Sequence, residues 1–413
     1  MTEQRTLFDR ECITRGWGRT SAFLEAFAQT AQLLREEVTL TERQFRRWRG
    51  DHPPNPRPRA WRVLHAMFGV SPLDLGFPGP APASTPPTLG RRAFLADAIG
   101  TAAIASLASG DSVGTAHLTE LREGLFSLYA LDDAYGGGDV RSLALRHFRR
   151  VRRVINTGQY SEAIGRQLQL LLGEAAEHCA WLHYDADIQD EARRYWGEAL
   201  TTATVLRDTN LEIVAFAGLS MQAIHEDRPR EGYNLAQAAR QRAEALQSPI
   251  LISLIAAREA RALAKMRDDS GARRELAHAM RTVDRTNNGQ PTPAWAAFHG
   301  PAELEYAQGL IYVDGGRHNA AIPFLRASLQ HQQRKYTRNF ALYRLTLARS
   351  LASAGEIDEA AAEAVQAVPE LAEVESARVL RRLIEVRDLV AAAKTTSATH
   401  CLEAISEYTN GRS

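Results

Sequence analysis

Lysine is almost missing from this chain. Of its 50 basic residues only Lys265, Lys335 and Lys394 are lysine, and the others are arginine. GC-rich codons produce that bias, which points to a high-GC bacterial genome. Cysteine is scarce too. Cys12, Cys179 and Cys401 are odd in number and far apart, which excludes a disulfide framework and reads as reduced thiols of the cytoplasm. A net charge of +1 identifies no partner by itself, so only local charge can inform. Long apolar runs are lacking. The run from Ala93 to Ala108 is interrupted by Asp97 and falls short of the ~20 residues a bilayer requires, so no membrane association is expected. It follows Arg91-Arg92 in the manner of a twin-arginine export signal. Such signals stand at an N-terminus, so the segment reads as a buried connecting helix. The first residues mix acid and base before a short apolar stretch, and no signal peptide is expected.

Catalytic patterns are also missing. There is no Gly-x-Ser-x-Gly, no His-Glu-x-x-His and no Ser/His/Asp grouping at supporting spacing. Gly136-Gly137-Gly138 lacks the Lys-Ser or Lys-Thr of a phosphate loop and reads as a turn. Cys179 and His183 stand at i, i+4 beside His178 and Asp185. No second ligand pair lies nearby, and the four read as core packing. Asp132-Asp133 reads as a cap or a surface charge. An enzyme is not expected, nor a metal or cofactor.

A repeat dominates what is present. Ala180, Ala192 and Ala199 are small residues separated by 12 and then 7. Ser220, Gly232 and Ala239 follow 40 positions later, and Ala260, Ala272 and Ala279 after another 40. Ala320 and Ala327 come 48 beyond, and Ala348, Ala360 and Ala367 close the series. Small residues in such register imply stacked helical hairpins, with small side chains where two backbones approach. Turn signals fall between the helices: Asp208-Thr209-Asn210, Asp227-Arg228-Pro229, Asp268-Asp269-Ser270-Gly271, Gly315-Gly316 and Gly355. The extra eight residues before Ala320 fall in Asn287–Pro293, which reads as a loop insertion. Glu375 to Tyr408 reads as two helices that cap the stack. Pro78, Pro80, Pro82, Pro86 and Pro87 mark a semi-rigid tether ahead of it.

The front unit holds the sharpest local signal. In Thr39-Leu40-Thr41-Glu42-Arg43-Gln44-Phe45-Arg46-Arg47-Trp48-Arg49, Thr39 and Glu42 predict a capping-box start. Phe45 and Trp48 share a face with Thr41, and Arg43, Arg46 and Arg47 fall opposite. From Arg35 to Arg62 eight arginines stand against four carboxylates, a local excess of +4. An aromatic anchor beneath guanidinium groups suits a helix laid in the major groove, where Arg can bond guanine O6 and N7 or a phosphate. Ser21–Leu34 predicts a preceding amphipathic helix. Pro58 can open a following one with Trp61, Leu64 and Phe68, ended by Gly69. That order is helix-turn-helix.

The repeats resemble tetratricopeptide units, which place small residues at the same 12 and 7 spacing and a large one four after the middle, as Trp196 and Phe324 do. The period of 40 rather than about 34 leaves a HEAT-like stack open as the alternative. The front unit resembles the Cro/C1-type (XRE) helix-turn-helix family in Phe45, Trp48, Gly50 and Pro53-Pro54, and in Phe68-Gly69-Val70-Ser71-Pro72-Leu73-Asp74-Leu75. Arg49 stands where that family has an acidic residue. With Asp132-Asp133-Ala134-Tyr135-Gly136-Gly137, the whole looks like regulators of high-GC Gram-positive bacteria.

The expected fold is all-α, a helix-turn-helix domain followed by a tetratricopeptide-like α-solenoid. The expected divisions are a DNA-binding domain (1–77), a linker (78–90), connecting helices (91–158), repeats (159–372) and capping helices (373–413). The resemblance implies a cytoplasmic transcriptional regulator that binds double-stranded DNA as a homodimer and takes a peptide or small-molecule effector. Candidate DNA contacts are Thr41, Arg43, Gln44, Arg46 and Arg47, with Arg57 and Arg59. Candidate effector contacts on the first helix of each repeat are Gln222, Arg258, Tyr306, Asn339 and Tyr343. The alternative is a protein-interaction scaffold with a vestigial DNA-binding head.

Overall fold

The computed structural model describes residues 6–15, 17–33, 38–50, nine positions between 53 and 77, 112–135, 137–283, 293–332, 336–371 and 374–410. The chain divides into two compact units, Met1–Leu95 and Ala96–Ser413. Among the described residues all regular structure is helical, apart from isolated bridge positions such as Ser112 with Gln159. The all-α expectation holds. The Pro-rich tether and the Arg91-Arg92 segment lie outside the described residues.

The first unit contains α1 (Leu7–Thr14), α2 (Thr20–Leu33) and α3 (Glu42–Trp48). Phe8, Phe23, Phe27, Phe45, Trp48, Leu64, Phe68 and Phe77 are buried in one core. Helical turns at Val63-Leu64 and Met67-Phe68 follow α3, as the sequence predicts, while Pro58, Trp61 and Gly69 lie outside the described residues.

The second unit is a run of helices: α4 (Thr115–Tyr135), α5 (Gly137–Thr157), α6 (Glu162–Asp185), α7 (Gln189–Leu206), α8 (Thr209–His225), α9 (Pro229–Ala245), α10 (Pro249–Lys265) and α11 (Asp269–Val283). After a 3-10 turn at Ala294–Ala296 come α12 (Pro301–Asp314), α13 (His318–His331), α14 (Thr337–Ala354), α15 (Ile357–Leu371), α16 (Ala377–Val390) and α17 (Thr396–Asn410). Each helix packs on the next, and first helices touch first helices along the stack, as α6 does α8, α8 does α10 and α10 does α12.

The short turns explain this order. Asp187, Arg207, Asp227, Gln247 and Arg267 all have φ between 51° and 68°, and Gly316 and Gly355 follow at 70° and 94°. The first five stand 20 residues apart, one per helix. In each turn the next amide bonds a carbonyl five residues back: Ile188 to His183 at 2.9 Å, Asp208 to Ala203 at 2.9 Å, Arg228 to Ala223 at 2.8 Å, Asp268 to Leu263 at 2.9 Å and Glu356 to Leu351 at 2.9 Å. This is the left-handed cap that reverses a chain in two or three residues. Helices joined so tightly must run antiparallel to their neighbours.

The small-residue series lies where the helices cross. Ala180, Ala192, Ala199, Ser220, Ala239, Ala260, Ala272, Ala279, Ala348, Ala360 and Ala367 are each 0% exposed. A Cβ on Gly232 would stand 2.5 Å from Ile224, and one on Gly218 would stand 2.3 Å from the Trp196 ring nitrogen. One set needs correction. Ala320 is exposed and Ala327 half-buried, whereas Gly309, Ala321 and Ser328 are buried and keep the 12 and 7 spacing. The expected large residue shifts with them, from half-buried Phe324 to fully buried Leu325. The insertion is therefore one residue longer than the sequence suggested. Residues 284–292 lie outside the described residues, and its end, with Trp295, Ala296 and Phe298, packs on the core between α8 and α10.

Ala321→Leu is expected to destabilise the protein by about 1–3 kcal/mol through overpacking, and Ala320→Leu to stay within about 0.5 kcal/mol. Urea unfolding of both variants checks the register.

Candidate nucleic-acid interface and the repeat interior

α3 is seven residues long and is held by its two aromatic side chains. Phe45 stacks on Phe23 of α2 with ring centres 4.2 Å apart. Trp48 meets Phe77 edge-on at 5.6 Å and Phe8 at 6.3 Å. With the anchors buried, Arg43, Gln44, Arg46 and Arg47 are exposed on the opposite side. Glu42, Arg43, Arg46 and Arg47 border a shallow open recess of about 430 Å³. Arg46 reaches the Glu42 carboxylate at 3.1 Å, a solvent-exposed pair of small worth that a phosphate can replace.

The capping box is real, but it is not formed by Thr39 and Glu42. Thr41 is the N-cap. Its hydroxyl accepts the Gln44 amide at 3.3 Å, and the Gln44 side-chain oxygen accepts the Thr41 amide at 2.9 Å. Thr-x-x-Gln satisfies the same pattern two residues later, and the later start keeps Leu40 packed against the core. Thr41 is accordingly an exposed cap rather than a member of the aromatic face. Thr41 and Gln44 bond each other, while Arg43, Arg46 and Arg47 stand exposed beside them. Arg57 and Arg59 lie outside the described residues.

Arg49 has a structural task. Its guanidinium pairs with Asp9 of α1, donates to the Gly18 carbonyl at 3.1 Å and lies over the Phe45 ring at 5.5 Å. The Thr6 hydroxyl donates to the Arg49 carbonyl at 3.3 Å. The departure at this position thus ties the end of α3 to the start of the unit.

In the second unit, four of the five effector candidates group together. Tyr306 of α12 stacks on Tyr343 of α14 at 3.9 Å, and its hydroxyl meets Thr346 at 3.1 Å. The Tyr343 hydroxyl donates to Glu303, and the Asn339 amide approaches the same carboxylate at 3.4 Å. Arg258 donates to the Ala217 carbonyl and is held down to about 10 by burial, partly relieved by Tyr184 and Glu303. Gln222 is separate. It is fully buried and donates to the Gln189 carbonyl at 2.6 Å.

A cluster that the sequence reading missed lies beside this group. Asp132 is buried, not a surface charge. It accepts from the Trp181 ring nitrogen at 2.8 Å and pairs with Arg338, 206 residues away. Asp185, fully buried, accepts from Ser376 at 3.0 Å and pairs with Arg378 at 2.9 Å. Both guanidinium groups lie over the Trp181 ring, at 4.8 and 5.2 Å. Arg381 adds a pair to Asp187 at 2.9 Å. These bonds bring α14 and α16 onto α4 and α6, so the stack curls far enough for its two ends to meet. Buried carboxylates opposite buried arginines were the usable signal, but one sequence does not say which pairs with which. Cys179 is buried, its thiol pushed up to about 12 by desolvation, and His183 bonds the Cys179 carbonyl at 2.6 Å.

No protein-family model matches the chain, and no curated protein matches it either.

Asp185→Asn leaves Arg378 without its counter-charge and is expected to cost about 3–5 kcal/mol, the scale for breaking a buried pair. Denaturant unfolding checks this. Burial, with Asp132 and Glu174 adding and Arg258 opposing, lifts the Glu177 carboxyl to about 8. The folded protein then holds a proton that the unfolded chain releases near pH 4.5, so Glu177 subtracts stability as pH rises from about 4.5 to 8. Glu177→Gln is expected to flatten that decline in melting temperature measured across the same range.

Proposed function

We propose that the protein is a cytoplasmic, DNA-binding transcriptional regulator. Its first unit is a helix-turn-helix head of the XRE kind, and its second a tetratricopeptide-like repeat array. One observation carries this reading: α3 presents Arg43, Arg46 and Arg47 to solvent while Phe45 and Trp48 lock its other side into an aromatic core. A groove-reading helix needs that division, because its base contacts must be held still by packing behind them. Arg43 and Arg47 make no ion pair among the described residues, and Arg46 makes only the exposed one with Glu42. All three can therefore reach phosphate or guanine at little cost in lost contacts.

The head would act as one half of a homodimer on a two-fold operator. The repeat array would carry the dimer contact, an effector site, or both. The Tyr306, Tyr343, Asn339 and Arg258 group is the place for a peptide or small effector. A ligand that replaced the Glu303 bonds there would bias the curl of the stack.

Binding of genomic fragments at fixed salt tests the head. Arg43→Ala and Arg46→Ala are each expected to weaken preference for the specific site by about 5- to 150-fold, or 1–3 kcal/mol. If both bind like the parent, α3 is not the reader. Retention of a protein partner from lysate without DNA would then favour the scaffold with a vestigial head.

A further inference from the structure

A second arginine-rich helix lies in the repeat unit. α5 carries Arg141, Arg146, Arg149, Arg150, Arg152 and Arg153 against one acid, Asp139. Its local excess of +5 exceeds that of the α3 region, in a chain of net charge +1. Packing sorts these arginines. Val140, Leu143, Ala144, Phe148, Val151 and Val154 are buried against the neighbouring helices. Arg150 pairs with Glu120 of α4 at 2.7 Å, and Arg152 with Glu198 of α7. Arg146, Arg149 and Arg153 are exposed, and their guanidinium groups have no hydrogen-bond or ion-pair partner among the described residues.

Those three do not scatter. At 100° per residue they fall within an arc of about 60°, so they form a single row along the helix. The rise from Arg146 to Arg153 is about 10.5 Å. A DNA strand places one phosphate per about 3.4 Å of axis, so such a row spans about three phosphates. Many other guanidinium groups of this unit are matched by carboxylates, as in Arg378 with Asp185, Arg261 with Asp314 and Arg344 with Glu363, and exposed unmatched ones such as Arg230, Arg273 and Arg281 do not line up on one helix face. An unmatched row repels itself, weakly in water, and a polyanion from outside turns that repulsion into attraction.

We propose that the Arg146–Arg149–Arg153 row is a second, sequence-independent DNA contact, which holds the phosphate backbone of duplex flanking the operator. The occupant follows from charge complementarity. Three fork-shaped donors in line suit a polyanion of regular charge spacing better than one carboxylate or a compact anion. The assignment of that polyanion as DNA rests on the reading of the head. The row would add affinity and salt dependence without adding sequence preference, because phosphates carry no base information.

The test uses the full-length protein and a labelled duplex with long flanks, with anisotropy measured over a series of KCl concentrations. The variant is Arg146→Gln/Arg149→Gln/Arg153→Gln. The control is Arg230→Gln/Arg273→Gln/Arg281→Gln, which removes the same charge from exposed sites on other helices. The α5 variant is expected to lose at least about tenfold in affinity and to lower the salt slope by about 2–3, close to 0.9 per phosphate released. Its ratio of specific to non-specific binding should match the parent's, and the control should keep the parent's slope. An unchanged slope in the α5 variant, or an equal fall in the control, overturns the proposal. If the slope stays while Arg43→Ala and Arg46→Ala lose sequence preference, only the α5 contact fails and the regulator stands. If the parent binds no duplex at any salt, both fall. Binding of the α5 row to polyglutamate with no effect on DNA would mark an acidic protein partner and equally refute it.

Discussion

Two helices can lie with their backbones in near contact only where neither side chain intrudes, and this chain meets that demand once per layer. Ala192 and Ala199 on one helix and Ala180 on its partner are fully buried where the two helices pack, and the pattern recurs down the stack. Gly232 and Gly309 take it to the limit, since even a Cβ there would stand about 2.5 Å from Ile224 and Leu325. Close approach fixes the tilt between paired helices. A constant tilt summed over successive pairs is a curl. That curl brings Asp132 to Arg338 and Asp185 to Arg378, pairs that no local feature would place together. The polar interior is thus a product of the small residues on the helix crossings.

The turns share the load. A left-handed residue at Asp187, Arg207, Asp227, Gln247 and Arg267 costs each position about 1–2 kcal/mol relative to glycine-like freedom. The chain accepts this at exposed sites and recovers the terminal carbonyl bonds of each helix. Towards the end of the stack Gly316 and Gly355 fill the same position without that strain. Regular turns give regular layers, and the 20-residue step of the turns is half of the 40-residue step of the small series.

Much of this was legible in the sequence. Helix pairs and their turns followed from the 12 and 7 spacing and from turn residues at fixed offsets, and two helices stand where the C-terminal pair was expected. The α3 anchors followed from Phe45 and Trp48 at i, i+3. The errors have physical causes. Ala320 and Ala321 both offer a small residue, but only Gly309, Ala321 and Ser328 are small at all three positions, and the burial of Leu325 agrees with that register. Thr39 and Thr41 each open a Thr-x-x-Glu/Gln box, and the packing of Leu40 decides between them. Asp132 resembled a surface acid because its partner lies 206 residues on. Long-range pairing is the kind of information that one sequence holds and does not display.

The closing pairs also set a clock on synthesis. Asp185 leaves the ribosome 193 residues before Arg378, a delay of roughly 10–40 s at ordinary translation rates. Throughout that interval α6 can dock on its neighbours, but its terminal carboxylate has no counter-charge to meet. The nascent stack must stay slack at that end and tighten only when the last helices emerge. A chain cut short before α16 would carry this vacancy for its lifetime, and quality-control proteases would find it as an uncurled, fraying edge.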